Sequence, residues 1–298
     1  MKPEIVAPAG NAECLEAALK AGADAVYLGL NRFNARMKAD NFDIERLGEL
    51  AAHIRSHNAK LYLTFNTLIK QSELADAARL AVRAFNDGAD AVILQDLGLL
   101  KAVRELNPDI VIHASTQMGV HNIEGAEFVK ALGVSRVILS RETPLCDIAE
   151  IKKKTGLEIE VFVQGALCVS FSGNCYFSSF VSGHGGNRGR CMQLCRKKYQ
   201  ALVDGKVLPH GSMKSLLSPR DICFARDVEK LCAAGVDSFK IEGRMRGPEY
   251  IGQAVRVYKK ALAGTLSGRD IDAMESAYNR GDITIDYLFK GGGVYERK

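Results

Sequence analysis

The sequence predicts an α/β chain folded as a (β/α)8, TIM-barrel-like cylinder with a cysteine-rich insertion after its seventh strand. Three features predict it. A phrase returns along the chain: AGADAVYLGL from Ala21, DGADAVILQD from Asp87, LGVSRVILSR from Leu132 and AGVDSFKIEG from Ala234. Each joins a helix-ending glycine, a short turn and an apolar run, and glycine takes the left-handed cap conformation without a Cβ penalty. The runs lack polar alternation, as strands buried on both faces of a parallel sheet do. Eight such strands can be counted, and eight βα units in about 250 residues match a barrel in number and length. An open doubly wound sheet would also alternate strand and helix, but no GxGxxG follows the first strand.

In chain order the strands are EIVAPA from Glu4, AVYLGL from Ala25, LYLTFN from Leu61, AVILQD from Ala91, IVIHAS from Ile110, RVILSR from Arg136, IEVFVQ from Ile159 and SFKIEG from Ser238. Amphipathic helices fall between them: AECLEAALKA from Ala12, IERLGELAAHIRSH from Ile44, LADAARLAVRAFN from Leu74 and PEYIGQAVRVYKKALAG from Pro248. The phrase recurs at unequal intervals, which argues against a solenoid. One barrel domain is expected over residues 1–298, with an insertion subdomain at 167–220.

Composition narrows the class further. The 298 residues are 47% hydrophobic and 25% charged, with a net charge of +5, an ordinary globular balance that permits an anionic partner without requiring one. No apolar run approaches the ~18–20 residues needed to span a bilayer. The opening MKPEIVAPAGN carries no apolar h-region. A cytoplasmic location and reduced thiols are expected, with no membrane partner.

In a barrel, active sites lie at the C-terminal ends of the strands. Asn66, Gln117, Arg141, Glu242 and Arg244 follow apolar runs abruptly and offer hydrogen-bonding and anion-binding chemistry at one mouth. Asp96 and Glu242 are candidate proton carriers, although Asp96 also suits a helix N-cap. Arg141, Lys240 or Arg244 could hold carboxylates through charge-assisted hydrogen bonds.

The seventh strand is followed by about 60 residues before the next helix, far longer than an ordinary barrel loop. This stretch opens with Cys168, Cys175, Cys191 and Cys195, spaced C-x6-C-x15-C-x3-C, among glycines and arginines. A zinc knuckle normally uses two tight pairs, and only Cys191/Cys195 satisfies that; zinc remains the alternative metal. An iron–sulfur cluster tolerates looser spacing. Cys14, Cys146, Cys223 and Cys232 stand alone on helical patterns and read as core. YQALVDGKVLP from Tyr199 predicts a hairpin turning at Asp204-Gly205. Arg188, Arg190 and the runs CRKKY and GRMRG offer phosphate contacts, and Phe171, Tyr176 or Phe177 a stacking surface for a base. No HExxH or GxSxG is present, although His113, His121, His184 and His210 leave a Cys–His pairing open.

The run EVFVQGALCVSFSGNCYFSS, with GNRGRCMQLCR, SFKIEGRMR, the opening APAGN, GADAVYLGL and the late AYNRG, resembles the collagenase-like peptidase family of unassigned catalytic mechanism over almost the whole chain. The resemblance implies a TIM-like barrel holding a [4Fe-4S] cluster on Cys168, Cys175, Cys191 and Cys195. It also implies C5-hydroxylation of a pyrimidine in tRNA or rRNA, with prephenate or a similar small carboxylate as hydroxyl donor. Alternatives within the family are peptidase activity and a cluster-bearing subunit of an oxygen-independent hydroxylase complex, with a protein partner. The family's KIEGR motif falls on Lys240 to Arg244. Many relatives have His where this chain has Gln164. An amide does not titrate, so either the position is not catalytic throughout the family or this member differs in activity.

Overall fold

A computed structural model describes residues 2–207, 216–278 and 283–284. Seven strands come in sequence: β1 (Glu4–Pro8), β2 (Ala25–Gly29), β3 (Lys60–Phe65), β4 (Ala91–Leu94), β5 (Ile112–Ala114), β6 (Arg136–Ile138) and β7 (Glu158–Ala166). Each pairs in parallel with the next. The eighth barrel strand, Ser238–Ile241, pairs in parallel with both β7 and β1, so the sheet closes on itself. It is β11 in chain order, because three short strands intervene: β8 (Leu202–Val203), β9 (Lys206–Val207) and β10 (Asp221–Cys223). A further short strand, β12 (Ile283–Thr284), lies beside β10.

Helices surround the cylinder: α1 (Ala12–Lys20), α2 (Leu47–Ser56), α3 (Leu74–Asn86), α4 (Leu97–Leu106), α5 (Ile123–Ala131), α6 (Leu145–Thr155), α8 (Val228–Ala233) and α9 (Pro248–Leu262), with α10 (Gly268–Tyr278) against α9. Their starts are chemically marked. Asn11, Asp96 and Asn122 accept hydrogen bonds from the backbone of the first turns of α1, α4 and α5, and Pro248 opens α9. The repeated phrase is now explained. Gly22, Gly88, Gly133 and Gly235 all take positive φ just past a helix end, turning the chain into the following strand.

The lower half of the barrel interior is polar, which the sequence did not announce. Glu160 on β7 is fully buried and meets Lys240 at 2.6 Å, Arg136 at 3.1 Å and the Ser238 hydroxyl at 3.1 Å. Arg136 also reaches Glu4 at 2.6 Å and Glu158 at 2.7 Å, and Tyr62 donates to Glu4 at 2.9 Å. Such a network is costly to break, since removing one member strands a buried charge at about 3–5 kcal/mol.

Candidate active site

The insertion leaves β7 at Leu167 and returns through β10, which runs antiparallel to β7 with Cys223 opposite Gln164. It contains a short helix, α7 (Phe177–Ser182), and the expected hairpin, where β8 and β9 turn through Asp204 and Gly205, both at positive φ. His210 lies outside the described residues. Polar contacts hold the insertion against the C-terminal end of the barrel. Arg188 forms a two-pronged ion pair with Glu73, both contacts 2.8 Å, and donates to the Leu68 carbonyl at 2.6 Å. Glu142, after β6, receives the Ser172 amide at 2.9 Å and its hydroxyl at 2.6 Å. Arg196 donates to the carbonyls of Leu167 and Pro219. Arg188 is therefore a fastening of the insertion rather than a free phosphate contact. In GRMRG, Arg244 points inward and Arg246 bonds Asp221 at 3.0 Å, so neither is a surface phosphate contact. Arg190, Lys197 and Lys198 are exposed, as are Phe171 and Tyr176.

Beneath the insertion lies a cavity of about 220 Å³. All four clustered cysteines line it, together with Asn66, Gln117, Arg141, Lys240, Glu242 and Arg244. The Cys175 sulfur receives the Phe177 amide, and the Cys191 sulfur the Gln193 amide, both at 3.4 Å. Burial pushes the Cys195 thiol above its ordinary pKa; Arg196 opposes this, and Cys168, Cys191 and Cys175 add to it. The Cys195 thiol thus feels the other three. Among the described residues, no three His, Cys, Asp or Glu side chains are grouped to hold a single metal ion.

The cavity floor is aromatic and cationic. The Arg141 guanidinium stacks 4.0 Å from the Phe162 ring centroid, and its buried Nε has no hydrogen-bond partner among the described residues. Arg244 is buried, and among the described residues it donates to neutral groups, Thr64 Oγ1 at 2.9 Å and Asn34 Oδ1 at 3.2 Å. Burial and the nearby Arg36 draw its pKa down to about 10. A Cβ on Gly29 would stand 2.6 Å from Arg244 Nη1, so glycine is what lets β2 pass the guanidinium. Glu242 pairs with Arg36 at 3.2 Å. Burial disfavours the Arg36 charge, but Glu242 prevails and its pKa lies above the usual value.

Several expectations change. Asp96 does not line the cavity: its two carboxylate oxygens receive the Leu99 amide at 2.8 Å and the Ile69 amide at 3.0 Å, so it caps α4 and pins the loop after β3. Lys240 lines the cavity, but its charge is engaged by Glu160. Asn66 lines the cavity while its side-chain oxygen holds the Ala35 amide at 3.0 Å. Gln164 faces away. The β7–β11 register slips between Lys240 and Ile241, and Gln164 Oε1 accepts from the Tyr258 hydroxyl on α9 at 3.3 Å. A one-residue slip carries a side chain to the other face of a strand. Arg36, Tyr27 and Phe162 were missed. Phe162 and Tyr27 were hidden in apolar strands, and Arg36 sits seven residues beyond β2, where only the rule placing sites in post-strand loops could have flagged it.

The family model for peptidase family U32 matches residues 10–293. The chain belongs to peptidase family U32. It is 37% identical to tRNA hydroxylation protein P1 of Bacillus subtilis, over 100% of this chain and 73% of that protein. It is 38% identical to the 23S rRNA 5-hydroxycytidine C2501 synthase of Escherichia coli, over 89% of this chain and 40% of that larger protein. Among solved structures, the U32 peptidase Mk0906 superposes with a TM-score of 0.52 at 11% identity, over 82% of this chain and 94% of that one, a likeness of fold.

Proposed function

We propose that this U32 protein hydroxylates C5 of a pyrimidine in tRNA or rRNA, taking the hydroxyl from a small carboxylate donor such as prephenate. The names of the two relatives above support the reaction class. The single observation that carries the donor is the pair Arg141 and Arg244: among the described residues neither meets a carboxylate, and both face one cavity. A buried cation without a counter-ion is costly, and an anionic ligand would supply one through charge-assisted hydrogen bonds. Tyr27 and Phe162 give the donor an apolar wall. Glu242, at the same wall and paired with Arg36, is the carboxylate placed to hold or pass a proton.

The donor set suits an iron–sulfur cluster on Cys168, Cys175, Cys191 and Cys195. Four thiols line one cavity, and backbone amides already point at two sulfurs, the outer hydrogen bonding such sites use. A lone zinc ion, which gathers sulfurs about 2.3 Å from one centre, suits their spread less well. When bound, a cluster supplies electron transfer next to the donor. The peptidase reading has less support. A thiol nucleophile needs an adjacent base, and among the described residues that line the cavity none is histidine.

Nucleoside analysis of total RNA from a deletion strain and its parent tests the reading. One C5-hydroxylated pyrimidine should vanish and return on complementation. An unchanged nucleoside profile overturns it.

A further inference from the structure

We propose that Lys240 anchors the co-substrate covalently: its ε-amine condenses with the carbonyl of a 2-keto acid whose carboxylate is held by Arg141 and Arg244. The proposal rests on the carboxylate-donor reading and deepens it.

Three cations surround two rings on the cavity floor. The Lys240 nitrogen lies 4.4 Å from the Tyr27 ring centroid and 5.6 Å from that of Phe162. Arg141 stacks on the same Phe162, and Arg244 stands 5.9 Å from the same Tyr27 centroid. A ligand over these rings meets two guanidiniums and one amine together. Guanidinium recognises carboxylate, and a lysine amine condenses with a carbonyl to a Schiff base. A carboxylate beside a carbonyl answers both.

Glu160 has a second cation beside Lys240: Arg136, shared with Glu4 and Glu158, meets that carboxylate at 3.1 Å. Burial, with Arg136 and Arg244 nearby, disfavours the ammonium, while Glu160 favours it, and the net displacement is below the ordinary lysine value. Glu160 Oε1, 2.6 Å from the amine, is within reach to take its proton.

The step balances. The ammonium passes one proton to Glu160, and the freed nitrogen pair attacks the carbonyl carbon while the carbonyl π pair moves to oxygen. That oxygen is protonated twice, by Glu160 and by the nitrogen, and leaves as water as the C=N bond forms. Ammonium and ketone become iminium and water, with no oxidant or reductant. The iminium keeps the positive charge beside Glu160.

The test uses the wild-type protein with phenylpyruvate and with pyruvate, borohydride reduction and peptide mass mapping. The expected result is one adduct, on the peptide holding Lys240, absent with lactate and lost in Lys240→Arg. That variant keeps a cation for Glu160 and cannot form an imine. No adduct at Lys240 with either acid overturns the proposal. So does undiminished RNA hydroxylation in a strain carrying Lys240→Arg, an outcome that leaves the RNA reading standing. An adduct at Lys240 in a protein whose deletion leaves the nucleosides unchanged overturns the RNA reading and keeps the lysine chemistry.

Discussion

His113 shows how one buried side chain ties stability to pH. Its ring packs edge-on to Tyr62 with centroids 4.8 Å apart, and its Nδ1 is buried without a partner among the described residues. Burial, then Arg136 and Lys240, hold its pKa well below 6.5; Glu4 opposes them and Lys60 adds to them. The unfolded chain therefore binds a proton at His113 that the folded chain refuses. Stability from this site is complete above about pH 6.5 and falls as the pH drops below it, by up to about 1.4 kcal/mol per unit. His113→Phe keeps the ring contact and removes the titration. Denaturant unfolding at pH 7.5 and 5.5 should show the wild type losing more stability on acidification than the variant. Parallel losses would contradict the assignment. At the same scale, Asp96 and Gln164 show what residue type cannot reveal: a carboxylate after a strand serves equally as a helix cap, and a bulge decides which face an amide joins.

Among the elements, the insertion is fastened by polar contacts from Arg188, Ser172 and Arg196 beside the buried Leu167 and Leu194. Its ion pair Arg188–Glu73 is partly solvated, with side chains 33% and 27% exposed. The hydrogen bond from Arg188 holds the Glu73 carboxyl at about 2, so this fastening is intact above the ordinary carboxylate range and is lost as the pH falls toward 2. An exposed pair contributes little to global stability, about 0–1 kcal/mol, but it can decide whether a segment lies down. Glu73→Gln should leave barrel unfolding within about 1 kcal/mol of wild type. In chelator-treated protein it should speed tryptic cutting at the exposed Arg190, Lys197 and Lys198, and unchanged cutting would show that other contacts suffice. The contrast explains what could be read in advance. The barrel strands and their helices were legible because apolar runs, capping residues and left-handed glycines are local signals. The cysteine quartet was legible for its density. Arg36, the inward turn of Arg244 and the clasp of Glu142 on Ser172 were not, because each depends on a partner between 30 and 210 residues away.

For the whole molecule, the barrel and the chemistry are separable loads. The hydrophobic core runs through the strands and surrounding helices, and Cys168, Cys175, Cys191 and Cys195 are absent from it. Cys191 is exposed and lines the cavity. A substitution there forms no core cavity, and surface changes of this kind usually cost within about 0.5 kcal/mol. If the four thiols hold a cluster, Cys191→Ser purified without oxygen should lose visible absorbance and iron while its barrel still unfolds cooperatively, close to the wild-type denaturant midpoint of iron-free protein. Iron content equal to wild type would remove Cys191 from the ligand set. Loss of cooperative unfolding would show that the metal holds the barrel together, and the site could no longer be treated as chemistry mounted on an independent scaffold. The fold makes the first outcome the expected one, because β11 closes the cylinder against β1 and β7 without using any residue of the insertion.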